Sequence, residues 1–491
     1  MNKLGFENYE LSDEILKSLG RLGYKNPSEV QKQVIPLILK DKDIIVKSET
    51  GSGKTAAFSI PICEKIELEE KDPQVLVLTP TRELALQIKE EISSIALYKR
   101  LRCTAIFGKQ PMSLQKRELK QRVHLVVGTP GRTLDHIERE NLDLKKIKYF
   151  VLDEADEMLN MGFIDQVEAV IKRLPKNRVT MLFSATIPEK IENLCKKYMN
   201  NPQNININPE NITTGTINQC YYEVEDKDKF SLLQKIIYKE VVDNSIIFCN
   251  TREKVDEVLK HMKKKGFNAI GLHGGMEQKD RLETMKKFKQ GEFQFLVCTD
   301  VAARGIHIEN ISHVINYEMP YEKESYVHRI GRTGRAGKEG VAITFIEPNK
   351  VRFLKDIEDY IEKEIPKRKE PSLEEVDKGK KVFEENIKNR IKTKVPKNNK
   401  KQKDITKIYI SAGRKKKIRP GDIVGAITSI EGINVDNIGI IDIQDNHSYV
   451  DILEGKGNIV LKASEDMKIK GKKVRIQKGS KINIKVILLI D

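Results

Sequence analysis

Short apolar runs alternate with longer stretches of helical pattern through most of this 491-residue chain. The first set of runs is VLVLT (75–79), HLVVG (124–128), YFVLD (149–153) and VTMLF (179–183). The second is SIIFC (245–249), FLVCT (295–299), HVINY (313–317) and AITFI (342–346). Strands spaced by helices build a parallel sheet covered on both faces. Two such sets predict an α/β chain with two tandem parallel sheets.

In an open α/β sheet, ligands bind beyond the C-terminal ends of the strands. The stretch FVLDEADEML (150–159) reads as a buried strand that delivers Asp153 and Glu154 to such an end. An NTPase uses this pair to hold Mg²⁺ with the first acid and to orient a water with the second; the same pair also occurs as a helix cap. DIIVKSETGSGKTAAF (43–58) reads as a strand, a Gly-rich turn and a helix start. Its GSGKT core ends as a phosphate loop does, with backbone N–H groups around the phosphates at a helix N-terminus. Lys54 would reach the β/γ-phosphates and Thr55 would ligate Mg²⁺. Ser48 stands where the usual pattern has its first Gly. In GYKNPSEVQ (23–31), Gln31 offers a carboxamide that can match an adenine edge, and Phe6 could stack on the base. PTRELA (80–85), TPGR (129–132) and SAT (184–186) sit near other strand ends. Each taken alone is a turn plus an N-cap.

No segment has the apolar length that crosses a bilayer, and the N-terminus lacks the apolar core of a signal peptide. The six cysteines are scattered without CxxC spacing. Reduced thiols in a cytoplasmic protein are expected, with neither a disulfide framework nor a zinc site. The formal charge is +16, and residues 386–491 hold 24 Lys/Arg against 11 Asp/Glu, or +13 of it. A basic C-terminal part on a nearly balanced body reads as an appended nucleic-acid-binding element. Within it, NIKNRIKTKVPKNNKKQK (386–403) has no acid and reads as a linker, and VILLI (486–490) suits a final core strand.

The second half adds IIFCNTR (246–252), LHGGMEQKDR (272–281), VCTDVAARGIHI (297–308) and HRIGRTGR (328–335). With the earlier motifs, in this order, residues 1–360 resemble a DEAD-box RNA helicase. That resemblance implies RecA-like domains at 1–205 and 217–360, a linker at 206–216, then a helical and basic linker at 361–403. It implies an RNA-stimulated ATPase that uses ATP and Mg²⁺. The nucleotide contacts carried over are Phe6, Tyr24, Gln31, Ser48, Glu49, Thr50, Gly51, Ser52, Gly53, Lys54, Thr55, Gly305 and His307, with Thr55 and Asp153 toward the metal. Glu154 takes the position of the general base, and Arg332 and Arg335 those of arginine fingers. Ser184 and Thr186 couple the ATP state to strand separation, and His328 links domain closure to the nucleic-acid side. The implied RNA track is Pro80, Thr81, Arg82, Gly108, Thr129, Gly131 and Arg132, then Arg252, Gly274, Gly275 and Thr299. Three positions depart from the family: Lys109 replaces the second Gly of a GG pair, Ser28 a Thr, and His307 an Asp that touches the ribose.

Residues 404–491 read as a third unit. TKIYISAG (406–413), IGIIDIQD (438–445), SYVDIL (448–453) and KKVRIQKG (472–479) read as strands, and 419–430 and about 455–466 as helices. This β-α-β-β-α-β order is that of an RNA-recognition fold. KIYISAGRKKKIRPGDIVGAI also resembles the RNA-binding domain of the DbpA/YxiN branch, which implies 23S rRNA and pre-50S particles as partners. Candidate RNA contacts are Lys407, Tyr409, Arg414, Lys415, Lys416, Lys417, Arg419 and Tyr449. Two other readings stay open: an ATP-dependent RNA clamp, and a general RNA chaperone or decay helicase with a non-specific basic tail.

Overall fold

The computed structural model describes residues 5–48, 52–207, 217–303, 311–334, 339–392, 405–463 and 467–479. The first domain is built on β1 (Ile44–Lys47), β2 (Val75–Leu78), β3 (Cys103–Ile106), β4 (Leu125–Gly128), β5 (Tyr149–Asp153), β6 (Val179–Ser184) and β7 (Gln203–Asn206). They form one parallel sheet in the order β3-β4-β2-β5-β6-β1-β7. Successive side chains of a strand go to opposite faces. Val75 and Val77 join the core with Phe58 and Ile88. Leu76 and Leu78 join the other, with Val167 and Leu194. Both faces are buried, so the runs are apolar without alternation.

Strand order then positions the chemistry. β5, β6 and β1 are neighbours, with Lys47 beside Ser184 and Asp153 beside Phe183. The phosphate loop, the acidic pair and the SAT motif therefore leave one sheet edge side by side, although more than 130 residues separate the first from the last.

The second domain repeats the architecture with β8 (Ile217–Glu223), β9 (Ser245–Cys249), β10 (Ala269–Leu272), β11 (Phe295–Thr299), β12 (His313–Asn316) and β13 (Gly340–Ile346). Its parallel order is β10-β11-β9-β12-β13-β8. The third unit has β14 (Thr406–Ile410), β15 (Ile438–Ile443), β16 (Ser448–Ile452), a small hairpin of β17 (Lys468–Ile469) and β18 (Lys472–Lys473), and β19 (Ile476–Lys478). Its antiparallel order is β15-β16-β14-β19. Helices Pro420–Thr428 and Gly457–Lys462 cover one face, where Ile408, Ile410, Ile423, Ile427, Val450 and Val460 are buried together. All six cysteines are free thiols. Among the described residues no helix is long and apolar enough to cross a membrane.

Three details differ from or add to these readings. Gln203–Asn206 adds an edge strand to the first sheet and ends at the start of the linker expected at 206–216. It pairs on one side only and buries just Ile205, so its polar sequence hid it. The segment 361–403 holds the helical part expected there, but this part is no free linker. Helix Leu373–Lys392 packs on the second domain through Phe383, whose ring lies 5.6 Å from that of Tyr238 and 6.1 Å from that of Phe267. Residues 472–479 are split between the small hairpin and β19, because the chain must turn back through Lys470 and Gly471, both at positive φ. Residues 486–490 lie outside the described residues.

Asp43 ties the edge of the first sheet to its neighbours. One carboxylate oxygen accepts from the Thr180 amide at 2.8 Å and the other from the Asn200 amide at 2.7 Å. Asp43→Ala leaves these amides without that acceptor and lowers the stability of the first domain by roughly 2–4 kcal/mol. The checks are the first urea transition and amide exchange at Thr180 and Asn200, and unchanged exchange at both would contradict this account.

Candidate active site and nucleic-acid track

The phosphate-loop lysine is held before any ligand is considered. Gly53 caps helix Lys54–Lys65 at φ 94, a left-handed conformation that favours glycine. Lys54 opens that helix, is buried, and donates through Nζ to the Ser48 carbonyl at 2.8 Å. Thr55 follows in the first turn. Ser52 and Ser48 place their hydroxyls 3.4 Å apart. Gln31 braces the loop from outside: its Oε1 accepts from the Ser28 amide at 2.9 Å and its Nε2 donates to the Gly53 carbonyl at 3.3 Å. The Ser28 hydroxyl donates to the Ser52 carbonyl at 3.0 Å, so the serine performs a hydroxyl's task at this position. Phe6 is not an open platform. It is 3% exposed and meets Tyr24 edge-on at 6.1 Å.

Asp153 ends β5, and Glu154 caps the next helix with φ 53, ψ 55. A non-glycine residue in this region costs energy and recurs at functional sites. Burial raises the Asp153 pKa against the opposing charge of Lys54. Burial, then the neighbouring Asp153, push Glu154 up to about 7, while Arg332 and Lys54 pull it down. Arg332 is 5% exposed, comes from the second domain, and donates through Nε to the His328 carbonyl at 3.1 Å. Lys54, Asp153, Glu154 and Arg332 thus share one buried electrostatic environment across the domain boundary.

Two acids that sequence reasoning left unassigned organise the rest. Asp156 accepts from the Thr186 amide at 2.8 Å and the Thr186 hydroxyl at 3.0 Å, and its own amide donates to the Ser184 hydroxyl at 3.1 Å. Glu157 lies 2.6 Å from Nδ1 of His328 across the cleft. Both follow directly on the acidic pair and could have been singled out there. A cavity of about 470 Å³ between the domains is lined by Ser48, Asp156, Thr186, Gln219, His328 and Tyr360 among others. Arg329, also unassigned, is 1% exposed and forms a two-bond pair with Asp300 at 2.6 Å. It also donates to the Glu318 carbonyl and the Asn250 side chain, which fixes the helix bearing His328.

The RNA-track residues line helix starts and turns on both domains. Thr81 caps helix Arg82–Ile95, accepting from the Leu84 amide at 3.2 Å, and Thr129 precedes helix Pro130–Glu138. Pro80 ends the preceding turn, and the Arg82 guanidinium lies over Gly108. Arg132 donates to the Gln110 carbonyl at 2.9 Å. Gly131 and Gly274 have open space where a Cβ would stand, and Gly275 sits against the His273 ring. Arg252 is exposed at the start of its helix, and Thr299 ends β11. Lys109 has φ 59, which explains why a glycine suits that position. Across the cleft mouth, Gln278 accepts from Arg82 at 3.0 Å and donates to Glu83 at 3.1 Å, and Arg281 pairs with Glu83 at 3.0 Å. Glu49, Thr50, Gly51, Gly305, His307 and Arg335 lie outside the described residues.

On the third unit, Tyr409 and Tyr449 are register partners on the sheet face away from the helices. With His447 they form a half-buried cluster whose centroids lie 5.3–5.6 Å apart. Lys407 sits 6.0 Å over the Tyr449 ring. Arg414, Lys415, Lys416, Lys417 and Arg419 form an exposed basic turn off this face.

Two parallel-sheet domains that close on one phosphate loop define a two-domain RecA-like NTPase. Family models agree with each part: DEAD/DEAH box helicase over residues 28–194, helicase conserved C-terminal domain over 228–337, and DbpA RNA binding domain over 407–478. The ATP-dependent RNA helicase DbpA of Bacillus subtilis is 52% identical over 97% of this chain and 99% of its own. The DEAD-box ATP-dependent RNA helicase CshA of Geobacillus kaustophilus is 44% identical over 76% of this chain and 80% of its own. Dbp5 of S. cerevisiae bound to RNA and ADP BeF3 is 32% identical with a TM-score of 0.70, covering 78% of this chain and 99% of that one. Mss116p bound to ssRNA and AMP-PNP is 29% identical with a TM-score of 0.68, covering 80% and 85%. This chain belongs to the DEAD-box ATP-dependent RNA helicases, and it carries a DbpA-type RNA-binding domain. It is an RNA-stimulated ATPase and helicase.

Burial alone would depress the His328 pKa, but the adjoining Glu157 overrides it and raises the value. The pair therefore supports domain contact fully below the ordinary histidine pKa and is lost as pH rises through the raised value. Glu157→Gln leaves only Asp156 to oppose burial and moves the His328 pKa downward. An NMR titration of the His328 ring reads this directly, and an unmoved pKa would refute the pairing.

Proposed function

We propose that this helicase uses Mg²⁺ and ATP to open short structured segments of 23S ribosomal RNA in pre-50S particles, in the cytoplasm. The observation that carries the catalytic reading is the convergence of Lys54, Asp153 and Glu154 with Arg332 of the other domain. Phosphoryl transfer needs charge neutralisation and an aligned water, so positioning and electrostatics do the catalysis. Lys54 meets the β/γ-phosphates, and Glu154, with its pKa near 7, accepts the proton of the attacking water. Ser184 and Thr186, held through Asp156, pass the nucleotide state toward the RNA side.

Asp153 and the Thr55 hydroxyl suit Mg²⁺, which takes few protein ligands beside phosphates and waters. When bound, Mg²⁺ supplies neutralisation of the phosphate charge. Gln31 reads adenine, and Arg335 is the second arginine finger. Because Arg332 belongs to the second domain, the site is complete only when the domains meet. RNA on the track across both domains favours that closure.

The DbpA-type domain, with its aromatic cluster and basic turn, supports a structured RNA as target, and the likeness of nearly the whole chain to DbpA favours 23S rRNA. Steady-state ATPase activity at fixed salt should be stimulated more by 23S rRNA than by an unrelated RNA of equal length, and not by DNA. A chain ending near residue 400 should lose this preference while keeping RNA stimulation. Equal response to every RNA would favour a general chaperone, and stimulation without strand displacement would favour a clamp. At saturating RNA, kcat should rise with pH through about 7 as Glu154 ionises. Glu154→Gln should abolish that rise and lower kcat by about 10²–10⁴-fold. A persistent pH rise in the variant would assign the base elsewhere.

A further inference from the structure

The third unit separates its charges. Its basic turn is exposed, whereas Asp436, Asp442, Asp451 and Glu454 gather along β15, β16 and their connections. This acidic edge meets the first domain. Lys17 Nζ lies 2.7 Å from Glu454, Arg102 lies 3.2 Å from Asp442 Oδ1, and Arg100 donates to the Val435 carbonyl at 2.7 Å. Lys17 is steadied by the Tyr98 ring at 4.5 Å. The Arg102–Asp442 pair is more enclosed than a surface ion pair, its side chains being 24% and 22% exposed. Asp442 Oδ1 is buried without a hydrogen-bond partner, so Arg102 supplies its charge compensation. Asp451, 16% exposed, also feels Arg102.

We propose that the acidic edge of the C-terminal domain is a docking surface for the first RecA-like domain, seated on Lys17, Arg100 and Arg102. The match is local. The C-terminal region as a whole is strongly basic, and this edge offers the sign that Arg100 and Arg102 require. The docked domain keeps its basic turn and aromatic cluster beside the first domain. RNA held there travels with the phosphate loop. The inference holds whichever RNA is bound.

The test is zero-length carbodiimide coupling on the full chain, which joins the Lys17 amine to the Glu454 carboxyl only when they touch, with mass spectrometry of the product. The wild-type chain should give a Lys17–Glu454 link within one molecule, at a yield independent of protein concentration. Arg102→Glu or Asp442→Arg should each lower the yield on the order of five-fold, the effect of losing about 1 kcal/mol of ion pairing. The exchanged pair, R102E with D442R, should restore it. ATPase stimulation by an unrelated RNA, kept in all variants, shows that they fold and isolates this result from the question of target. Absence of the link, links only between molecules, or yields indifferent to charge reversal would each overturn the docking.

Discussion

Two adjacent carboxylates buried at the end of one strand set the terms for the rest of this molecule. Burial raises the pKa of both, and after burial Asp153 raises that of Glu154 while Asp156 raises that of Asp153. Cations oppose that cost from two directions: Lys54 from the phosphate loop of the same sheet, and Arg332 from a different domain. A site whose second cation arrives from another body is electrostatically incomplete when the bodies part. Charge placement alone thus ties completion of the site to closure.

What makes closure specific is the rigidity behind each contact. Arg329, enclosed by Asp300, Asn250 and the Glu318 carbonyl, locks together the strand ends and the helix that bring His328 and Arg332 forward. Asp156 does the equivalent on the first domain by holding Ser184 and Thr186. The domains then meet at two separated places: Glu157 with His328 beside the nucleotide side, and Glu83, Gln278 and Arg281 beside Arg82 of the RNA track. Both places rest on charged or polar side chains that are at least partly buried, where the low local dielectric strengthens each contact.

Much of the fold was legible because both faces of each central strand are buried. Continuous apolar runs such as VLVL and SIIFC announce themselves without an alignment. The strands that escaped notice are short or peripheral. Cys103–Ile106 and Ala269–Leu272 have four residues each, and Gln203–Asn206 is a polar edge. Helix Leu373–Lys392 was expected as a helix, but its packing on the second domain was not, because its contacts run through a few residues, Phe383 chief among them, on an otherwise charged surface. In the candidate site, residues within one motif could be assigned locally, since the loop, the turn and the cap are local structures. Phe6 is the instructive exception: an aromatic at the right place upstream, yet packed into the core beside Tyr24.

By itself the sequence determined the two parallel sheets, the third small domain and the phosphate-loop chemistry, because periodicity, glycine placement and strand-end acids act over a few residues. Only the tertiary structure decided which groups meet across the cleft. It joined Glu157 to His328, Arg82 to Gln278, and Arg332 to the field of Glu154. It also set the acidic edge of the C-terminal domain against Arg102. These pairings join groups from 171 to 340 residues apart, and no local pattern encodes them. Strand order and domain packing select them, since a buried charge is stable only where the fold brings a partner to it.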